Sequence, residues 1–176
     1  MSNTMRTGSI SYASLDGVYV VKFNGQIRVP LCTNLNDFGD DLLSDPALVG
    51  VAIDLTDVRS IDSTALGLLV KIAIGVGDLG LEKPLIISTD SNVNRTLEMT
   101  GFHQIFHILE EMPSSLADAN EMLNDLPHSE NPSVDLCEQV LEAHRILMNL
   151  NEKNKEIFTP VVQALENERS RFRKPQ

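Results

Sequence analysis

Val51-Ala-Ile-Asp-Leu-Thr-Asp-Val-Arg-Ser-Ile-Asp-Ser-Thr-Ala-Leu-Gly-Leu-Leu69 changes character twice within one short stretch. Its upstream part belongs to Leu48–Leu55, a nearly continuous apolar run that reads as a central strand buried on both faces. Asp57–Ile61 reads as a loop. Asp62-Ser63-Thr64 is then a helix-start signal. Ala65–Ile74 is apolar most of the way round, so that helix is expected to be well buried. A buried strand feeding a buried helix through a short polar loop decides the fold class.

Working outward toward the N-terminus, Ser9–Ser14 alternates, with Ile10 and Tyr12 opposite Ser9, Ser11 and Ala13. Asp16-Gly17 is a hairpin signal, and Val18–Phe23 is the second strand, ended by Asn24-Gly25. Pro30 suits the first position of a helix. Leu31, Leu35, Phe38, Leu42 and Leu43 recur there at helical spacing, with Asp40 and Asp41 on its polar back. Asp45-Pro46 ends it.

Toward the C-terminus, Gly75, Gly77 and Gly80 close the central helix. Pro84–Ser88 is a buried strand, Asn92–Thr100 a short helix closed by Gly101, and Gln104–Ile108 an edge strand. Ser114 or Ser115 caps a helix over Leu116–Leu123. Pro127–Pro132 reads as a linker. Beyond it, Val134–Asn151 is amphipathic, with Val134, Cys137, Val140 or Leu141, His144, Leu147 and Met148 on one stripe. Thr159-Pro160 interrupts, Val161–Phe172 continues as helix, and Arg169–Lys174 is a basic tail. The prediction is an α/β fold, a mixed sheet packed against helices, over residues 1–126, with a helical extension over 127–176.

Composition bounds the function. The chain has 176 residues and a net charge of −11, which argues against nucleic acid and anionic membranes. Residues 1–126 carry 7 basic and 17 acidic side chains, a net of −10; the rest carry 7 and 8, a net of −1. No apolar run is long enough for a membrane span. Met1–Arg6 has no apolar stretch behind it, so no signal peptide is expected. Cys32 and Cys137 are too few and too distant for a disulfide framework or a zinc knuckle, and read as buried apolar residues on helices.

Asp62-Ser63-Thr64 is where chemistry can sit. The first N–H groups of a helix lack intrahelical partners and favour an anion. A phosphate on a hydroxyl here would gain charge-assisted hydrogen bonds and add roughly −1.5 to −2 charge beside Asp62 and Asp57. The plainer reading is an ordinary cap by Asp62 or Ser63, worth ~1 kcal/mol.

The stretch resembles the signature of STAS domains, named for sulfate transporters and anti-sigma factor antagonists. The resemblance rests on Ile53-Asp54-Leu55-Thr56-Asp57-Val58 and Asp62-Ser63-Thr64-Ala65-Leu66-Gly67, and on the element order through about Leu126. Ala65 stands where glycine is more usual. The resemblance implies a cytoplasmic bacterial anti-sigma factor antagonist. Such a protein is phosphorylated on a hydroxyl of this motif by a serine kinase and dephosphorylated by a metal-dependent serine phosphatase. Unphosphorylated, it binds the anti-sigma factor and so controls transcription. It implies Ser63 as acceptor, with Thr64 second, and Asp62, Asp57, Asp54, Ala65 and Leu66 as partner-binding residues. The alternative is a non-switching STAS accessory subunit of a lipid or anion transport complex.

Nothing else in the sequence competes. No nucleophile–base pair is legible, so an enzyme is not expected, nor is a cofactor. His103 and His107 fall in or beside a strand and are not expected to hold a metal. Glu110-Glu111 reads as a solvated turn. The C-terminal helices allow two readings. Leu136, Val140, Leu147 and Leu150 pack on the core or on a homodimer mate, or they cover the Ser63 face and gate partner access.

Overall fold

The computed structural model describes residues 8–126 and 135–172. Met1–Arg6, the Pro127–Pro132 linker, Val134 and the last residues of the basic tail lie outside the described residues.

β1 (Ser9–Leu15) and β2 (Val18–Ile27) form an antiparallel hairpin. Asp16 and Gly17 take φ of 50° and 82°, and positive φ at both central residues is what a tight type I′ turn requires. α1 (Val29–Ser44) follows, with Pro30 in its first turn, after Val29, rather than at its first residue. β3 (Gly50–Ile61) runs parallel to β2 and leads straight into α2 (Ser63–Asp78). β4 (Leu85–Ile87), α3 (Ser91–Met99) and β5 (His107–Leu109) continue the parallel side. β6 (Asn124–Asp125), which sequence reasoning misses, pairs antiparallel with β1. The strand order is β5-β4-β3-β2-β1-β6, a mixed sheet.

Several boundaries differ from expectation. Asn24-Gly25 does not end β2. It is a bulged region with two shifts of register against β3, and Gly25, at φ 76°, absorbs the irregularity. The strand carries on because Ile27 is fully buried beyond it. For the same reason Asp57–Ile61 is strand rather than loop: it pairs with the extended β2 and buries Val58. Gly75 and Gly77 lie inside α2, which ends at Asp78 with Gly80 at φ 74°. A Cβ on Gly75 would stand 2.4 Å from Leu43 Cδ1, so glycine there lets α1 approach closely.

The edge strand starts at His107, after a 3₁₀ turn at Phe102–Gln104. Ser114–Glu121 is a 3₁₀ helix, and neither Ser114 nor Ser115 caps it; Pro113 precedes it without a side-chain cap.

The sheet buries both faces. One carries Val21, Phe23, Ile53 and Leu55 against α1 and α2. On the other, Ala13, Val20, Ala52 and Ile87 meet Leu116 and Ala119. Cover on both sides explains why β3 reads as an unbroken apolar run.

α4 (Leu136–Met148) and α5 (Glu152–Phe172) form a hairpin docked on the helical layer. Gly67 touches α4 so closely that a Cβ there would stand 2.2 Å from the Ala143 carbonyl oxygen. Gln139 Nε2 donates to the Cys32 carbonyl at 2.9 Å, joining α4 to α1. Asn154, fully buried, donates to the carbonyls of Thr100 and Leu147. Arg145 donates to Glu166 through Nε and Nη2, and Arg169 pairs with Glu138, tying α4 to α5.

The inward face of α4 is Gln139, Leu141, Ala143, His144 and Leu147. Cys137 is exposed, against expectation, and Leu141 rather than Val140 is the deeply buried residue. Thr159-Pro160 does not interrupt: Pro160 lies within α5. The packing of the hairpin overrides the cost of the missing proline N–H.

Candidate phosphoswitch site

β3 ends at Ile61, and the Asp62 N–H donates to the Ile27 carbonyl at 3.0 Å, so the parallel β2–β3 pair aims the chain at the start of α2. Asp62 is the N-cap, its Oδ1 accepting from Ala65 N at 2.9 Å. The capping reading therefore holds for Asp62. Ser63 is left as the first helical residue with its hydroxyl available for another partner.

That partner is His144 of α4. Ser63 Oγ lies 2.8 Å from Nε2, and Nδ1 lies 2.7 Å from the Val140 carbonyl. A carbonyl only accepts, so Nδ1 carries the proton. In the neutral ring Nε2 then accepts from the Ser63 O–H. The ring is 6 % exposed and meets Phe158 of α5 edge-on, with centroids 6.2 Å apart. A hydroxyl, a base and a group orienting the base are thus aligned. This Ser63–His144 pair is one that sequence reasoning did not find. Sequence reasoning places His144 only on an apolar stripe. The signal it lacks is the register between two helices separated by a long stretch of chain.

The other motif residues separate by burial. Thr64 is 2 % exposed, Ala65 is fully buried and Leu66 is 3 % exposed. Ala65 and Leu66 are therefore residues of the main core in this arrangement, not open surface. Asp54 is likewise buried. Lys22 Nζ lies 3.1 Å from its Oδ2, and Thr56 donates to its Oδ1 through both N and Oγ1. Lys22 also reaches the exposed Asp57 at 2.8 Å. Burial pushes the Lys22 ammonium down, but hydrogen bonds to Asp57 and Asp54 outweigh it and hold the group above its ordinary value. Asp57 and the half-buried Asp62 are the acidic groups that face outward. A cleft of about 490 Å³ opens beside Asp62, bounded by Arg28, Pro30, Ser60 and Ile61.

Cys32, buried in α1, has its thiol pushed up to about 12 by burial and by the nearby Asp62 carboxylate. A thiol-alkylating reagent near pH 8 should therefore label only Cys137 in the folded chain and both cysteines in denaturant. Labelling of Cys32 in the folded chain at the rate of Cys137 would contradict this packing. His103 and His107 are exposed on the 3₁₀ turn and on β5. Among the described residues no His, Cys, Asp or Glu cluster could hold a metal, and no helix is long and apolar enough to cross a membrane.

The STAS domain model matches residues 9–119, and the chain belongs to that family. Solved structures share its fold. A candidate anti-sigma factor antagonist of Thermotoga maritima is 22% identical, with a TM-score of 0.54, covering 63% of this chain and 94% of its own. An anti-sigma factor antagonist of Mycobacterium paratuberculosis is 20% identical, TM-score 0.52, covering 68% and 99%. The Bacillus cell fate determinant SpoIIAA in its phosphorylated form is 8% identical, TM-score 0.52, covering 64% and 99%. No curated protein matches in sequence. These neighbours are matched almost whole, yet they leave roughly a third of this chain unmatched, and the family match ends before α4.

Proposed function

We propose that the chain is an anti-sigma factor antagonist that works by partner switching, controlled by reversible phosphorylation of Ser63. The observation that carries this is Ser63 itself. Its hydroxyl stands on the first turn of α2, half-buried and hydrogen-bonded to His144, one residue after the Asp62 that lines an open cleft, in a STAS frame. First-turn N–H groups favour the phosphate once it is made. Ser63 is preferred to Thr64 because the Thr64 side chain is buried in α2's packed first turn.

Structures with this fold include SpoIIAA in its unphosphorylated and phosphorylated forms, which supports a frame that tolerates the modification. Unphosphorylated, the chain binds an anti-sigma factor or a kinase/phosphatase regulator in the bacterial cytoplasm. Phosphorylation adds about −1.5 to −2 charge next to Asp62 and Asp57 and repels that partner. The chain supplies the acceptor hydroxyl, and the serine kinase and metal-dependent phosphatase supply the turnover.

The test is phosphate incorporation by the cognate kinase into the wild type, Ser63→Ala, Thr64→Ala and the double variant. Loss of label in Ser63→Ala and retention in Thr64→Ala is expected. Label retained in the double variant would remove the site from this motif.

A further inference from the structure

The STAS family match ends at residue 119, before the helix that lies on the site, and the solved structures leave roughly a third of this chain unmatched. α4 covers the first turns of α2. Ala143 sits on Gly67, Glu142 approaches Lys71 at 3.9 Å, and His144 holds Ser63. The face of α2 so covered carries Ser63, Gly67 and Lys71.

We propose that the α4–α5 hairpin is a built-in cover of the switch face, latched by the Ser63–His144 hydrogen bond and released when Ser63 is phosphorylated. The proposal rests on the reading of Ser63 as the modified hydroxyl. It adds that the modification changes access to α2 as well as its charge, and that a partner reading this face must displace α4.

Three features make release the expected response. First, the 2.8 Å between Oγ and Nε2 is filled by one hydrogen bond and cannot admit a phosphoryl group with three oxygens. Second, the ring has nowhere to retreat within the docked hairpin. Nδ1 is held by the Val140 carbonyl, Phe158 stands beside the ring, and the side chain is already 6 % exposed. Third, the first-turn N–H groups of α2 draw the anion toward α2 itself and away from α4. Phosphate therefore replaces the latch and separates the two helices. Packing interfaces of this kind switch between discrete arrangements rather than deforming smoothly.

The experiment uses the full chain with phosphoserine genetically encoded at position 63, compared with the unmodified chain by hydrogen–deuterium exchange. Amides of α4 and of residues 66–70 are expected to exchange on the order of tenfold faster in the phosphorylated chain, with β3 unchanged. His144→Ala in the unmodified chain should move the same two segments in the same direction. Unchanged exchange in the phosphorylated chain overturns the proposal. So does slower exchange, which would mean that His144 clamps the phosphate. This readout needs no kinase and no partner. Failure of the release therefore leaves phosphorylation of Ser63 standing, whereas failure to find phosphate on Ser63 in cells removes the reading on which the release rests.

Discussion

Replacing Gly67 with alanine is expected to destabilise the protein by about 1–3 kcal/mol, the usual cost of overpacking a close contact. Two effects compete. Alanine is the better helix former by roughly 0.5–1 kcal/mol. At Gly67, however, the added Cβ would stand 2.2 Å from the Ala143 carbonyl oxygen and 2.6 Å from its carbon. Those are backbone atoms of a packed helix, so relief requires α4 to move away from α2. That movement also stretches the Ser63–His144 bond and the Gln139 bond to Cys32. The control is Gly77→Ala, also inside α2, where nothing lies within 4 Å of the new Cβ. There the propensity gain stands alone. For a chain of this size about 2–4 °C accompanies each kcal/mol. Thermal unfolding should therefore show Gly67→Ala several degrees below the wild type and Gly77→Ala slightly above it. A Gly67→Ala protein as stable as Gly77→Ala would mean that α4 does not sit on α2 as described.

Lys22→Met should cost about 3 kcal/mol, because it leaves a buried carboxylate without its counter-charge. Asp54 is 2 % exposed, and its Oδ2 faces Lys22, while Thr56 occupies only Oδ1. Lys22→Met with Asp54→Asn removes both charges and preserves an acceptor for the Thr56 N–H. The double variant should therefore recover most of the loss. The ion pair acts where Asp54 is ionised and Lys22 is charged, neutrality included. A lysine held above its ordinary value contributes stability that is complete below the unfolded value, near about 10.4, and is lost as pH rises through the folded one. Denaturant unfolding of the two single variants and the double checks this. A double variant no more stable than Lys22→Met would show that the Asp54 charge is not what makes the single change costly.

The strand–helix unit at Val51–Leu69 was legible because burial on both faces leaves its mark residue by residue, and of the two caps the spacing allowed, Asp62 and Ser63, the structure uses Asp62. The ends of β2 and β3 were not, because their pairing past Asn24-Gly25 depends on two strands supporting each other across the sheet. Local turn residues cannot report that. The extension shows the same division. Its helices are visible as amphipathic stripes, but the inward face includes Gln139 and Ala143, which no hydrophobic pattern selects. Gln139 is inside because a carbonyl of α1 waits for it, and Ala143 because it meets Gly67. His144 falls on the predicted stripe, yet its role appears only when α4 is laid on α2. Asp54 and Ala65 show the converse: motif position placed them at the partner face, and in this arrangement both are buried.

The most direct test of the central claim is the intact mass of the full-length chain purified from its own cells, with and without phosphatase treatment, followed by mapping of the modified residue. The account predicts a step of ~80 Da that phosphatase removes and that maps to Ser63. A chain carrying that step on a residue outside Asp62–Lys71, or carrying none in cells whose kinase and phosphatase regulators are active, would contradict it.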